Sequence, residues 1–159
     1  SINYKEQEFF KLIEFNTRYN KYGSGVCVLI ETVNEFTKMH DEFINDWNEA
    51  MQSGDTSSVE RMSEEYYVAF FQSLNDKPTF FSKQEAVTGM NQSVMHLLGA
   101  KKKFENRVIR FRANDNAVVF YELLVIKNEE ILARLFTIEN WSLIRGKWMI
   151  VREIEEPIN

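Results

Sequence analysis

Three turn signals, Asn114-Asp115, Asn128-Glu129 and Arg145-Gly146, cut the stretch from Phe104 to Ile154 into four strand-length runs. Asn, Asp and Gly accept the positive φ of two-residue hairpin loops, so these runs read as four consecutive antiparallel strands. Helical patterns precede them. Helices first and a meander afterwards is an α+β plan in which the sheet curls around the helices.

Composition narrows the function classes more than it names one. A chain of 159 residues, 44% hydrophobic and 14% aromatic, is one ordinary domain able to bury a core. A net charge of -5, with Lys101-Lys102-Lys103 as the one basic run of any length, argues against a nucleic-acid partner. The single cysteine, Cys27, leaves no internal disulfide and no thiolate zinc cluster, and points to a reducing compartment, the cytoplasm by default. No apolar run approaches the ~20 residues that span a bilayer and the N-terminus lacks a signal pattern, so no membrane partner is expected. Gly23-Ser24-Gly25 lacks the length and the Lys-Ser/Thr ending of a phosphate loop. No cofactor and no metal are expected.

Along the chain, Phe9, Leu12 and Ile13 mark a short amphipathic helix over residues 3–21, ended by Gly23-Ser24-Gly25. Leu29, Val33, Phe36, His40, Phe43, Trp47 and Met51 then form one stripe of a longer helix reaching Ser53, with Gly54 as its stop. Ser57 and Glu60 stand at capping-box spacing for a brief helix carrying Val59 and Met62. Tyr66 to Phe71 could prolong that helix, but its dense aromatic and β-branched composition fits a strand better. Asn75 to Pro78 is a turn, Thr79 to Phe81 is extended, and Ser82 to Glu85 is a capping box opening a helix closed by Gly99.

The order of elements, the segment Trp47-Asn48-Glu49-Ala50-Met51-Gln52-Ser53-Gly54-Asp55, and Phe136 to Trp141 followed by Gly146-Lys147-Trp148 resemble the nuclear-transport-factor-like superfamily. That group includes SnoaL-like cyclases and ketosteroid isomerase and shares the cystatin-like fold. The resemblance covers residues 33–154; residues 1–32 form an N-terminal helical extension ahead of the domain of residues 33–159. It implies helices in the concave face of a cone-shaped, mostly antiparallel sheet, a ligand cavity, and often a homodimer. The isomerase chemistry does not carry over residue by residue. The place of its tyrosine falls on Trp47, that of its general base beside Phe71, and only its late-strand acid has a counterpart, Glu139.

Turn positions also set cross-strand register. Counting outward from Asn114-Asp115 places Arg107 opposite Glu122, and counting from Arg145-Gly146 places Glu139 opposite Arg152 and Trp141 opposite Ile150. The same count puts Phe120, Leu124, Leu135, Thr137, Trp141 and Ile150 on the face of both ion pairs, which the resemblance makes concave. The first expectation is therefore a module binding a small, largely apolar molecule, with Trp47, Phe71, Phe120 and Trp141 as walls and Arg107, Glu122, Glu139 and Arg152 as polar anchors. A bland alternative is that each glutamate is a satisfied cross-strand ion pair. A small isomerase or cyclase using His40 or Glu139 for proton transfer is a second reading, and a non-catalytic interaction domain a third; whether a reaction occurs stays open. Val119, Tyr121, Leu123, Val125, Phe136 and Ile138 are expected on an uncovered sheet face that a second copy would bury.

Overall fold

The computed structural model describes residues 23–72 and 77–158, with side chains from Leu29 onward. The helix expected over residues 3–21, and Asn75-Asp76 of the expected turn, lie outside the described residues. The chain divides into two compact units, residues 1–36 and residues 37–159.

Helix α1 (Gly23–Ser53) begins at the Gly-Ser-Gly stretch and ends where expected. Gly54 takes φ +83° and donates its N–H to the Ala50 carbonyl at 2.8 Å, the left-handed cap that a residue without Cβ adopts without strain. The brief helix expected after it shrinks to one 3₁₀ turn, Ser57–Val59. Glu60 does not cap it, because the Thr56 hydroxyl donates to the Glu60 carboxylate at 3.0 Å and Asp55 accepts the Ser57 N–H instead. Strand β1 (Met62–Phe70) follows at once, so the aromatic run is a strand; β2 (Thr79–Ser82) is the short extended piece. Helix α2 (Lys83–His96) opens on the complete Ser82/Glu85 capping box. The meander is β3 (Lys101–Ala113), β4 (Asn116–Lys127), β5 (Glu130–Ile144) and β6 (Lys147–Pro157), with all three two-residue turns where the sequence places them.

The six strands form one curved, open sheet in the order β2-β1-β6-β5-β4-β3, antiparallel throughout except for the β1–β6 pair. Residues 37–53 of α1 are tied to the beginning of β3: Asn48 donates to the Lys102 carbonyl at 3.1 Å and accepts the Lys102 N–H at 3.0 Å, while Gln52 donates to the Ala100 carbonyl just before the strand. Beneath them Met51, Val94, Ala100 and Val125 form a buried cluster.

Register departs from the expected count wherever a strand carries an extra residue. Ile144 still faces Lys147 and Trp141 faces Ile150, but an extra residue at Val151 slides Arg152 opposite Asn140 and brings Glu153 opposite Glu139. An extra residue at Leu132 sets Val119, not Val118, opposite Glu139. Irregularities at Arg112 and at Asn106-Arg107, where Asn106 has φ +55°, place Glu105 opposite Glu122. A one-residue slip exchanges the two faces of a strand. Val119, Tyr121, Leu123 and Val125 therefore face inward and are buried, while Phe120 and Glu122 share the outer face with Phe136 and Ile138.

Candidate functional site

The α1 stripe brings His40 and Phe43 against β5, where Trp141 packs edge-on to both rings at 5.8 and 5.1 Å. Between them lies Glu139, fully buried. Its Oε1 accepts the Tyr121 hydroxyl at 2.5 Å, and its Oε2 accepts the Trp141 indole N–H at 2.7 Å and His40 Nε2 at 2.9 Å. Arg107 Nη1 lies 3.0 Å from His40 Nδ1, and Nη2 donates to Asp41 at 2.6 Å. A guanidinium only donates, so Nδ1 must accept, which puts the ring hydrogen on Nε2, aimed at Glu139. Burial, followed by the charge of Glu139, holds the Tyr121 phenol well above the ordinary tyrosine range. It serves as a donor.

Next to this network is a cavity of about 460 Å³, in the range of small-molecule sites. Its walls include Phe43, Trp47, Met62, Val68, Phe104 and Leu123. Its polar lining includes Tyr66 from β1, Lys102 from β3, and Glu153 and Glu155 from β6. Tyr66 donates its hydroxyl to Glu153. Lys102 Nζ lies 3.3 Å from the centre of the Trp47 ring, a cation–π contact. Tyr66 is buried, and Lys102, Glu153 and Glu155 are partly buried.

Enclosure sets their proton affinities. Loss of solvation, then the charges of Glu139 and Glu155, push Glu153 up to about 8, against relief from Tyr66 and Lys102. Loss of solvation also raises Glu155, partly offset by Lys102. Desolvation brings Lys102 down to about 8, against the pull of Glu155, Glu153 and Glu139. Burial and the Glu153 charge raise the Tyr66 phenol. No group of three or more His, Cys, Asp or Glu side chains among the described residues is arranged to hold a metal.

No family profile and no curated protein matches this sequence. Solved structures do. An NTF2-like protein with a cystatin-like fold from Novosphingobium aromaticivorans superposes with a TM-score of 0.63 at 10% identity, covering 87% of this chain and 92% of that one. A domain of unknown function with a cystatin-like fold from Nostoc punctiforme gives 0.60 at 15% identity, covering 77% of each chain. A proposed ketosteroid isomerase from Parabacteroides distasonis gives 0.54 at 18% identity, covering 73% of this chain and 85% of that one. The fold is NTF2-like.

On this NTF2-like frame the residues expected from sequence separate. Trp47 lines the cavity. Phe71 follows the end of β1, and Phe70 takes the wall position beside it. Phe120 and Glu122 face outward, with Glu122 3.5 Å from Arg134 rather than paired to Arg107. Arg152 also faces outward and donates to Asn140 at 2.8 Å, not to Glu139. Arg107 and Trp141 belong to the Glu139 network, and Trp141 is core rather than pocket wall. His40 and Glu139 are brought together, but both are fully buried and neither lines the cavity. A strand turns Tyr66 and Tyr67 to opposite faces, and Tyr66 is the one that lines the cavity. Lys102, Glu153 and Glu155 were missed: the i, i+2 spacing of the glutamates signals one face, but the extra residue at Val151 decides which.

Glu153 predicts a pH dependence. Its carboxyl holds a proton more tightly folded than unfolded, so between about 4.5 and about 8 the folded state binds more protons and stability falls as pH rises. Lys102 acts above that window: between about 8 and 10.5 the unfolded chain binds more protons, and stability rises with pH. Urea midpoints measured against pH should pass through a minimum near 8 in the native chain. Glu153→Gln should flatten the descending limb.

Proposed function

We propose that the cavity binds a small, largely apolar molecule, with Tyr66, Lys102, Glu153 and Glu155 contacting its polar end. The observation that carries this reading is the cavity itself: mostly apolar in its walls, with Tyr66, Lys102, Glu153 and Glu155 brought to it from three different strands. Burying such groups costs stability unless they are paired, and a structural core would fill with apolar side chains instead. Small apolar ketones and alcohols should raise the melting temperature by roughly 5 to 10 °C at a hundredfold excess over Kd. Ala133→Phe, which grows a ring from the cavity wall, should abolish the shift. Equal shifts in both proteins, or none in either, would contradict the reading.

The outer sheet face supports a second element of the proposal, a homodimer. Tyr67 and Phe80 pack edge to face there, and with Phe136 and Ile154 they remain more than a third exposed. An apolar sheet face of this kind is covered most simply by the same face of a second copy. Light scattering should then give twice the 18.9 kDa chain mass, and Phe136→Lys should restore the single-chain mass. A native chain that scatters as a monomer would refute it.

A further inference from the structure

Lys102 is held as few lysines are. Its backbone is clamped in both directions by Asn48, and its ammonium lies on the ring of Trp47, one residue earlier on the same helix. Among the described residues its Nζ makes no hydrogen bond and no ion pair. The amine is thus placed at the cavity wall, beside apolar surface and across from groups that can take and give protons.

We propose that Lys102 is a nucleophile that forms a reversible imine with an aldehyde or ketone in the cavity; this rests on the ligand-binding reading above and adds the ligand's class. In the step itself, the neutral Nζ lone pair forms a bond to the carbonyl carbon and the C=O π electrons move onto oxygen. The nitrogen gives up a proton to a cavity carboxylate. That proton passes to the alkoxide oxygen to give the neutral carbinolamine; its hydroxyl takes a second proton from a cavity carboxyl, the C–O bond breaks with loss of water as the nitrogen lone pair completes the C=N bond, and the iminium returns its N–H proton to the carboxylate. Amine and carbonyl become imine and water, so no further reactant is required.

The surroundings suit both halves of this step. Trp47 from α1, Glu153 and Glu155 from β6, Tyr66 from β1, Tyr121 from β4 and Glu85 from α2 share the cavity with the amine, and Glu139 from β5 acts on it by charge. Desolvation leaves Lys102 far more often neutral at neutral pH than an exposed lysine, the usual way a lysine becomes nucleophilic. Glu153, pushed up to about 8, still carries the proton that the departing oxygen needs.

The test is trapping with benzylacetone and sodium borohydride, with the modified lysine found by peptide mass spectrometry and binding followed separately by the melting temperature. Label at Lys102 should exceed that at any other lysine by about tenfold or more, as expected from its larger neutral fraction. Labelling should peak near pH 8, where neutral Lys102 and protonated Glu153 coexist, while exposed lysines should keep gaining label at higher pH. Lys102→Met should lose this label, whereas Lys103→Met should retain it. If benzylacetone stabilises the native chain but label spreads evenly over the lysines, the imine is overturned and ligand binding stands. If benzylacetone neither stabilises the chain nor marks Lys102, both readings fall.

Discussion

A carboxylate with no solvent exposure organises the inner face of this sheet. Glu139 gathers donors from β4, from its own strand and from α1, and through His40 it reaches Arg107 on β3 and Asp41. A buried carboxylate must be satisfied on both oxygens, and each donor here can reach it only from one relative placement of helix and strand. The network therefore sets how residues 37–53 of α1 lie across the sheet. That placement also brings Trp47 and Asn48 to Lys102. The cavity opens beside the network rather than within it.

Much of the fold was legible because turn chemistry and capping are local. Asn128 and Glu129 both take positive φ in the turn read from them, as do Arg145 and Gly146, and the Ser82/Glu85 box begins a helix as expected. Register was less legible. The irregularities at Leu132 and Val151 have no local signature of the kind that glycine gives a turn; each is settled by packing across strands. Their effect is large, since a single extra residue changes the partner of every later position. Counting from the turns therefore located Trp141 against Ile150 correctly and then assigned Glu139 the wrong neighbour.

The same physics explains what was missed at the candidate site. His40 and Glu139 stand out in sequence as polar groups among apolar ones, yet their prominence reflects a core network. Glu153 and Glu155 look like ordinary charges of a solvated strand end, and Lys102 like the middle of a basic run. Only the pairing of Glu153 with Glu139 and of Lys102 with Val125 turns them inward. Once inside, loss of solvation separates them from their exposed neighbours: Glu64, exposed and paired with Lys83 at 2.8 Å, holds its proton less tightly than a free glutamate, while Glu153 holds it more tightly.

Glu139 belongs to the fold and not to the proposed ligand site, and equilibrium unfolding of Glu139→Gln separates the two roles. A glutamine offers one acceptor oxygen and an amide that itself donates, so it cannot satisfy Tyr121, Trp141 and His40 together. The variant should lose about 3 kcal/mol or more of stability, with ligand-induced stabilisation retained in the folded protein. Unchanged stability together with lost ligand response would contradict it, and would return Glu139 to the binding site.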